Sequence, residues 1–179
     1  PKRPLRRLLL WLHLRPVQRL AALVELFHSE IQIIKGNREA TIDGVLSLMT
    51  LGLSPDTSVE IHASGPDARQ GAEIVRVLLQ RGGLLSSGEE PVSQSADWHR
   101  EFAEVARTFD SRITLETITG RTVCAEDAGK LSSLQPSMDF PCLLHAEGAD
   151  AEQAKEILGM LLGWLGGVAS PDDNPSGWL

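Results

Sequence analysis

Leu12-His13-Leu14-Arg15-Pro16 brings an imidazole, a guanidinium and a proline within one turn's length of chain. A proline is well suited to the first turn of a helix, where the N–H it lacks has no intrahelical acceptor anyway. The pattern therefore sets His13 just ahead of a helix N-terminus, beside backbone N–H groups without a partner, with Arg15 close by. Free N–H groups and a guanidinium together suit a phosphate, and a histidine so placed has the chemistry to carry a phosphoryl group covalently. The bland alternative is a surface histidine in a strand-to-helix turn. The elements around it have to decide.

Those elements come in two sets. Ile61-His62-Ala63-Ser64-Gly65-Pro66-Asp67-Ala68 returns as Leu144-His145-Ala146-Glu147-Gly148-Ala149-Asp150-Ala151 at a spacing of 83, and Ile74, Val75, Leu78 and Leu79 return as Ile157, Leu158, Leu161 and Leu162. Leu20, Leu23, Val24 and Phe27 match Phe102, Val105, Ala106 and Phe109 at a spacing of 82. The last two quartets each run i, i+3, i+4 and i+7, the period of one helix face. A period this long signals a duplicated domain rather than a solenoid.

In the first set, residues 5–12 read as a strand and 16–27 as an amphipathic helix. Residues 30–35 and 38–42 read as two strands joined by Gly36-Asn37, a strong tight-hairpin signal. A short helix over 45–51, stopped by Gly52, leads to an alternating strand over 57–63. Asp67 opens the last helix, with Gln70 completing a capping-box pattern that Asp150 and Gln153 repeat. The order β-α-β-β-α-β-α predicts an α+β fold, an antiparallel sheet with helices on one face. We expect a first domain over 1–81, a linker over 82–95 rich in Gly, Ser, Glu and Pro, a second domain over 96–164 with Gly120 in its hairpin, and a loosely held tail over 165–179. The second domain's first strand has only residues 91–94 as a weak candidate.

Composition narrows the class. With 42% apolar residues the chain can bury a core. Cys124 and Cys142 show no metal-ligand spacing, which fits two reduced cysteines in a cytoplasmic protein and leaves a disulfide between them open. The opening residues imitate a signal peptide only faintly, and the apolar stretch 157–169 is too short to span a bilayer, so no membrane insertion is expected. Through Arg81 there are 11 Lys/Arg against 8 Asp/Glu; beyond it, 6 against 16. A mildly basic first part favours an anionic partner or a phosphorylated donor. Nucleic acid is set aside, because no aromatic platform or known motif accompanies the basic residues.

Three segments, Leu12-His13-Leu14-Arg15-Pro16, Leu48-Met49-Thr50-Leu51-Gly52-Leu53 and Val59-Glu60-Ile61-His62-Ala63-Ser64-Gly65, resemble HPr, the histidine-containing phosphocarrier of the bacterial sugar phosphotransferase system. The resemblance covers nearly all of the first set. It implies two open-faced β-sandwiches in tandem, the second degenerate. It implies phosphoryl transfer through Nδ1 of His13, a donor resembling Enzyme I, an acceptor protein with its own histidine, and no cofactor or metal. Arg15 would steady the phosphate, helped by the helix start at Pro16, Val17 and Gln18, although proline donates nothing. Val45, Leu46 and Met49 would form a partly exposed docking patch, with Leu48 and Leu51 buried. A chain beginning at Pro1 is also compatible with a piece of a larger phosphotransfer protein.

Four departures qualify the resemblance. Trp11 stands where the family has glycine, and Leu14 replaces a small or hydroxyl residue that could cap the helix. Gly44 occupies the place of a regulatory serine, with Ser47 three residues further on. In register with His13, Arg15 and Pro16, the second set has Ser95, Asp97 and Trp98, and an aspartate there would repel a phosphate. His28, His62, His99 and His145 are assigned no chemistry. The leading expectation is a phosphocarrier whose second domain serves docking, dimerisation or regulation. The competing one is an interaction or regulatory module in which neither domain is phosphorylated. An enzyme with its own small-molecule substrate lacks any Ser/His/Asp set, phosphate-binding glycine loop or metal cluster to support it.

Overall fold

The computed structural model describes residues 3–4, 14–41, 44–51, 58–81, 83–86, 98–134 and 142–165. The chain divides into two compact units, Pro1–Glu89 and Glu90–Leu179.

The first unit runs β1 (Arg3–Pro4), α1 (Leu14–Val24), β2 (Glu30–Lys35), β3 (Arg38–Thr41), α2 (Val45–Thr50), β4 (Ser58–Ser64), α3 (Ala68–Arg81) and α4 (Gly83–Ser86). Its strands pair antiparallel in the order β1-β4-β2-β3. Alternation sets the faces: Ile31 and Ile33 of β2 are buried, while Glu30 and the neighbouring His62 and Ser64 of β4 lie exposed on the other side. Onto the inner face α1 lays Val17, Leu20, Ala21, Leu23 and Val24, and α3 lays Ile74, Val75, Val77, Leu78 and Leu79, all buried. Each large apolar side chain buried in this way contributes about 1.5–3 kcal/mol. Lys35 pairs with Arg38 across a two-residue turn in which Gly36 takes φ 60°, a conformation that a side chain disfavours.

The second unit runs α5 (Trp98–Ala106), β5 (Arg112–Glu116), β6 (Thr122–Cys124), α6 (Ala128–Leu131), β7 (Leu143–Glu147) and α7 (Ala151–Leu165). Its sheet order is β6-β5-β7, antiparallel throughout. The registers run in parallel with those of the first unit. Gln32 faces His62 and Thr41, and Thr114 faces His145 and Cys124; Ile33 faces Ile61 and Ala40, and Leu115 faces Leu144 and Val123. The core quartets Phe102, Val105, Ala106, Phe109 and Ile157, Leu158, Leu161, Leu162 are all buried. Cys142 is buried, Cys124 half-buried, and both are free thiols.

Several boundaries differ from the sequence reading. The expected strand over 5–12 lies outside the described residues, apart from the β1 pairing two residues earlier. Helix α1 opens at Leu14 rather than at residue 16 and ends at Val24, with Phe27 still buried beyond its last turn. The stretch 82–95, expected to be linker throughout, begins with the helical turn α4, whose Leu84 and Leu85 are buried. Apolar side chains at both positions explain the difference: the Gly-Leu-Leu-Ser segment has a core to join. The place of the second unit's first strand, the tail beyond Leu165, and Gly52 lie outside the described residues. Among the described residues no helix is long and apolar enough to cross a membrane.

Candidate functional site

His13 and Trp11 lie outside the described residues. Helix α1 begins directly after that histidine, with Leu14, Arg15 and Pro16 as its first three residues. Proline in this turn removes no intrahelical bond. The earlier start relocates the N–H groups available to an anion. They belong to Leu14 and Arg15, whereas Val17 and Gln18, expected to supply them, already fall where intrahelical bonding begins. Val17 is a core residue with no exposure, and Gln18 is exposed.

The short helix α2 packs against α1. It opens from Gly44 in an extended conformation without a side-chain cap, and no hydroxyl is available at that position. Leu48 and Leu51 are buried while Met49 is 43% exposed. Lys35 Nζ donates to Leu51 O at 3.1 Å, tying the end of β2 to the end of α2. Val45 and Leu46 are helical, and their side chains lie outside the described residues.

Two further groupings escaped the sequence reading. Asp67, read there only as a helix cap, reaches across to the turn after α1. Its carboxylate accepts from His28 N at 2.9 Å and from the Ser29 hydroxyl, while Asp67 N donates to Ser29 Oγ at 3.1 Å. In the second unit Asp150 accepts from Asp110 N at 2.8 Å, from Ser111 N at 2.9 Å and from the Ser111 hydroxyl. Each turn presses against a glycine at positive φ. A Cβ on Gly65 (φ +139°) would lie 2.5 Å from Ser29 Oγ, and one on Gly148 (φ +148°) 2.6 Å from Ser111 Oγ. The signal was present in the sequence, since Ser29 and Ser111 stand 82 residues apart, the helix spacing. The second grouping is Arg19, whose Nη1 donates to Leu84 O at 3.0 Å and Leu85 O at 3.1 Å.

In the second unit the helix that corresponds to α1 in element order opens at Trp98, a buried residue whose ring meets those of His99 and Phe102 edge-on at 6.1 and 6.3 Å. Glu101 in its first turn is buried. Ser95 and Asp97 lie outside the described residues. His62 and His145 occupy matching register positions but take different partners, Glu60 at 3.1 Å and Glu116 at 2.9 Å. Among the described residues no group of three or more His, Cys, Asp or Glu is arranged to hold a metal ion.

The family model for the PTS HPr component phosphorylation site matches residues 10–81, a span that includes His13 and ends with α3. The phosphocarrier protein HPr of Haemophilus influenzae is 32% identical over 68 residues, covering 38% of this chain and 80% of that protein. The chain belongs to the HPr family. The HPr of Vibrio cholerae is 30% identical over 70 residues, covering 39% of this chain and 82% of its own length. A crystal structure of HPr-C-His from Thermoanaerobacter tengcongensis aligns over 45% of this chain and 89% of that one, at 22% identity and a TM-score of 0.41. The HPr match thus falls on the first unit, and α4 lies just beyond it.

Proposed function

We propose that this protein is a phosphocarrier that accepts a phosphoryl group on His13 from an Enzyme I-like donor and passes it to a histidine on an acceptor protein. The observation that carries the reading is the HPr match over residues 10–81, with α1 opening immediately after His13. The amides of Leu14 and Arg15 and the Arg15 guanidinium would neutralise a group carrying about two negative charges. Their hold has to be firm enough for the N–P bond to form and loose enough for the phosphoryl group to leave. Val45, Leu46 and Met49 of α2 would provide the docking patch beside it, and the exposed methionine supports this. The chemistry asks for no cofactor or metal in the carrier, and we place the protein in the cytoplasm, with its donor.

The second unit is best read as a degenerate copy of the first that serves docking or regulation. Parallel registers, the paired Ser–Asp contacts and the paired positive-φ glycines support the common origin. The test of the main reading is incubation of the whole chain with phosphoenolpyruvate and Enzyme I. We expect an acid-labile label that His13→Ala abolishes, and a label that survives His13→Ala refutes the assignment.

A non-phosphorylated interaction module is the second reading, favoured by Trp11 in the place of the family's glycine. It predicts partner binding that survives His13→Ala and is lost in Met49→Lys. For the carrier, Met49→Lys should instead raise the KM for phosphorylation several-fold with little change in kcat, as expected when a docking contact is removed without touching the reacting atoms.

A further inference from the structure

We propose that Arg19 is a positioning residue for the phosphate-binding end of α1, working against α4, the turn by which the chain leaves the first unit. The proposal rests on the phosphocarrier reading and adds to it a residue one helical turn beyond the histidine, arginine and proline.

Helix α1 is held on the sheet by a buried apolar stripe, Val17, Leu20, Ala21, Leu23 and Val24. That one-sided stripe sets which face of the helix turns inward, with Gln18 and Ala22 left exposed. Arg19 adds a directional contact. Its guanidinium donates to the carbonyls of both Leu84 and Leu85. In a helix of four residues these carbonyls fall in the last turn, where intrahelical donors run out and the helix dipole is negative. Leu84 and Leu85 are themselves buried, and α4 packs on both α1 and α3, so Arg19 pulls on an anchored segment.

Arg15 and Arg19 are four residues apart, on one face of α1. Rotation of the helix by about 10° would move groups at its outer radius by about 1 Å. An error of that size in a reacting geometry costs on the order of 10²-fold.

The sequence of the second unit bears on this role. Features that any domain of this topology needs are present in both units: the buried quartets, the Ser–Asp contacts and the glycines that admit them. Arg19 does not sort with these. At the helix spacing of 82 its counterpart is Glu101, a buried acid that cannot serve as a cationic donor to a pair of carbonyls. Arg19 sorts with His13, Arg15 and Pro16, which the second unit replaces by Ser95, Asp97 and Trp98.

The test measures initial rates of phosphorylation of the full chain by Enzyme I and phosphoenolpyruvate, over a range of carrier concentrations. Arg19→Ala should lower kcat about tenfold or more while leaving the KM for the carrier within about twofold. Arg19→Lys, which keeps a cationic donor, should recover most of the loss. A kcat for Arg19→Ala within about twofold of the parent overturns the proposal, as does a loss confined to KM. Should Arg19→Ala fail to fold, Arg19→Met, which keeps the apolar stem and removes the donors, takes its place under the same criteria. A parent chain that takes no label refutes the phosphocarrier reading instead. Nuclear magnetic resonance of the unphosphorylated chain then decides on Arg19 alone. The His13 imidazole and Leu14 amide signals should shift in Arg19→Ala and return towards the parent in Arg19→Lys; unmoved signals overturn the proposal.

Discussion

The carboxylate of Asp67 takes hydrogen bonds from a turn 38 residues earlier in the chain, and Asp150 does the same across 39 and 40 residues. Ser29 is 8% exposed and Ser111 1%, so water cannot readily replace the lost acceptor at either. A buried donor left without its acceptor costs about 1–3 kcal/mol. Asp67→Ala should therefore destabilise the chain by about that amount, and Asp150→Ala by at least as much, since it strips the acceptor from two backbone N–H groups and a hydroxyl. Urea denaturation of the two variants checks this, and a midpoint unchanged in both would mean that these hydrogen bonds contribute nothing net to stability. His13 could be singled out from the sequence because Arg15 and Pro16, within a few residues of it, suit a phosphate. The partners of Arg19 were not legible, because they lie 65 and 66 residues away and only tertiary packing brings them together; for Ser29 the repeat spacing was the one signal.

Helices were the most legible elements, and the reason is visible in α3 and α7. Their quartets, Ile74, Val75, Leu78, Leu79 and Ile157, Leu158, Leu161, Leu162, follow the helical period and every member is buried. What periodicity missed were the ends. Helix α1 begins two residues early, because a proline that favours the first turn does not specify which residue of that turn it occupies. The turn α4 was hidden inside a Gly- and Ser-rich stretch too short to show a period. On α7, Gly159 sits in the helix interior and Gly163 in its last turn, and a Cβ added at either would meet nothing within 4 Å. With no steric cost to oppose the gain in helix propensity, Gly159→Ala and Gly163→Ala should each stabilise the chain by about 0.5–1 kcal/mol. Thermal denaturation reads the gain directly, and a loss at either position would show that the bare backbone is needed there.

Two units with closely parallel registers need not share one chemistry, and the differences concentrate where a phosphate would bind. The first unit opens α1 on Leu14, Arg15 and Pro16 in the mildly basic part of the chain, with 11 Lys/Arg against 8 Asp/Glu through Arg81. The second opens α5 on a buried Trp98, carries a buried Glu101 in the first turn, and belongs to a part with 6 Lys/Arg against 16 Asp/Glu. A helix N-terminus attracts an anion through its N–H groups and its dipole. Those terms amount to about 1–2 kcal/mol, small beside the cost of bringing a phosphoryl group with about two negative charges towards a carboxylate in low-dielectric surroundings. The chain should therefore saturate at one phosphoryl group per molecule however large the excess of donor. Mass spectrometry of the intact protein counts the groups, and peptide mapping under alkaline conditions should place the label on the segment containing His13. A second group on the Glu90–Leu179 unit would show that a helix opening on Trp98, with Asp97 before it in sequence, also supports transfer.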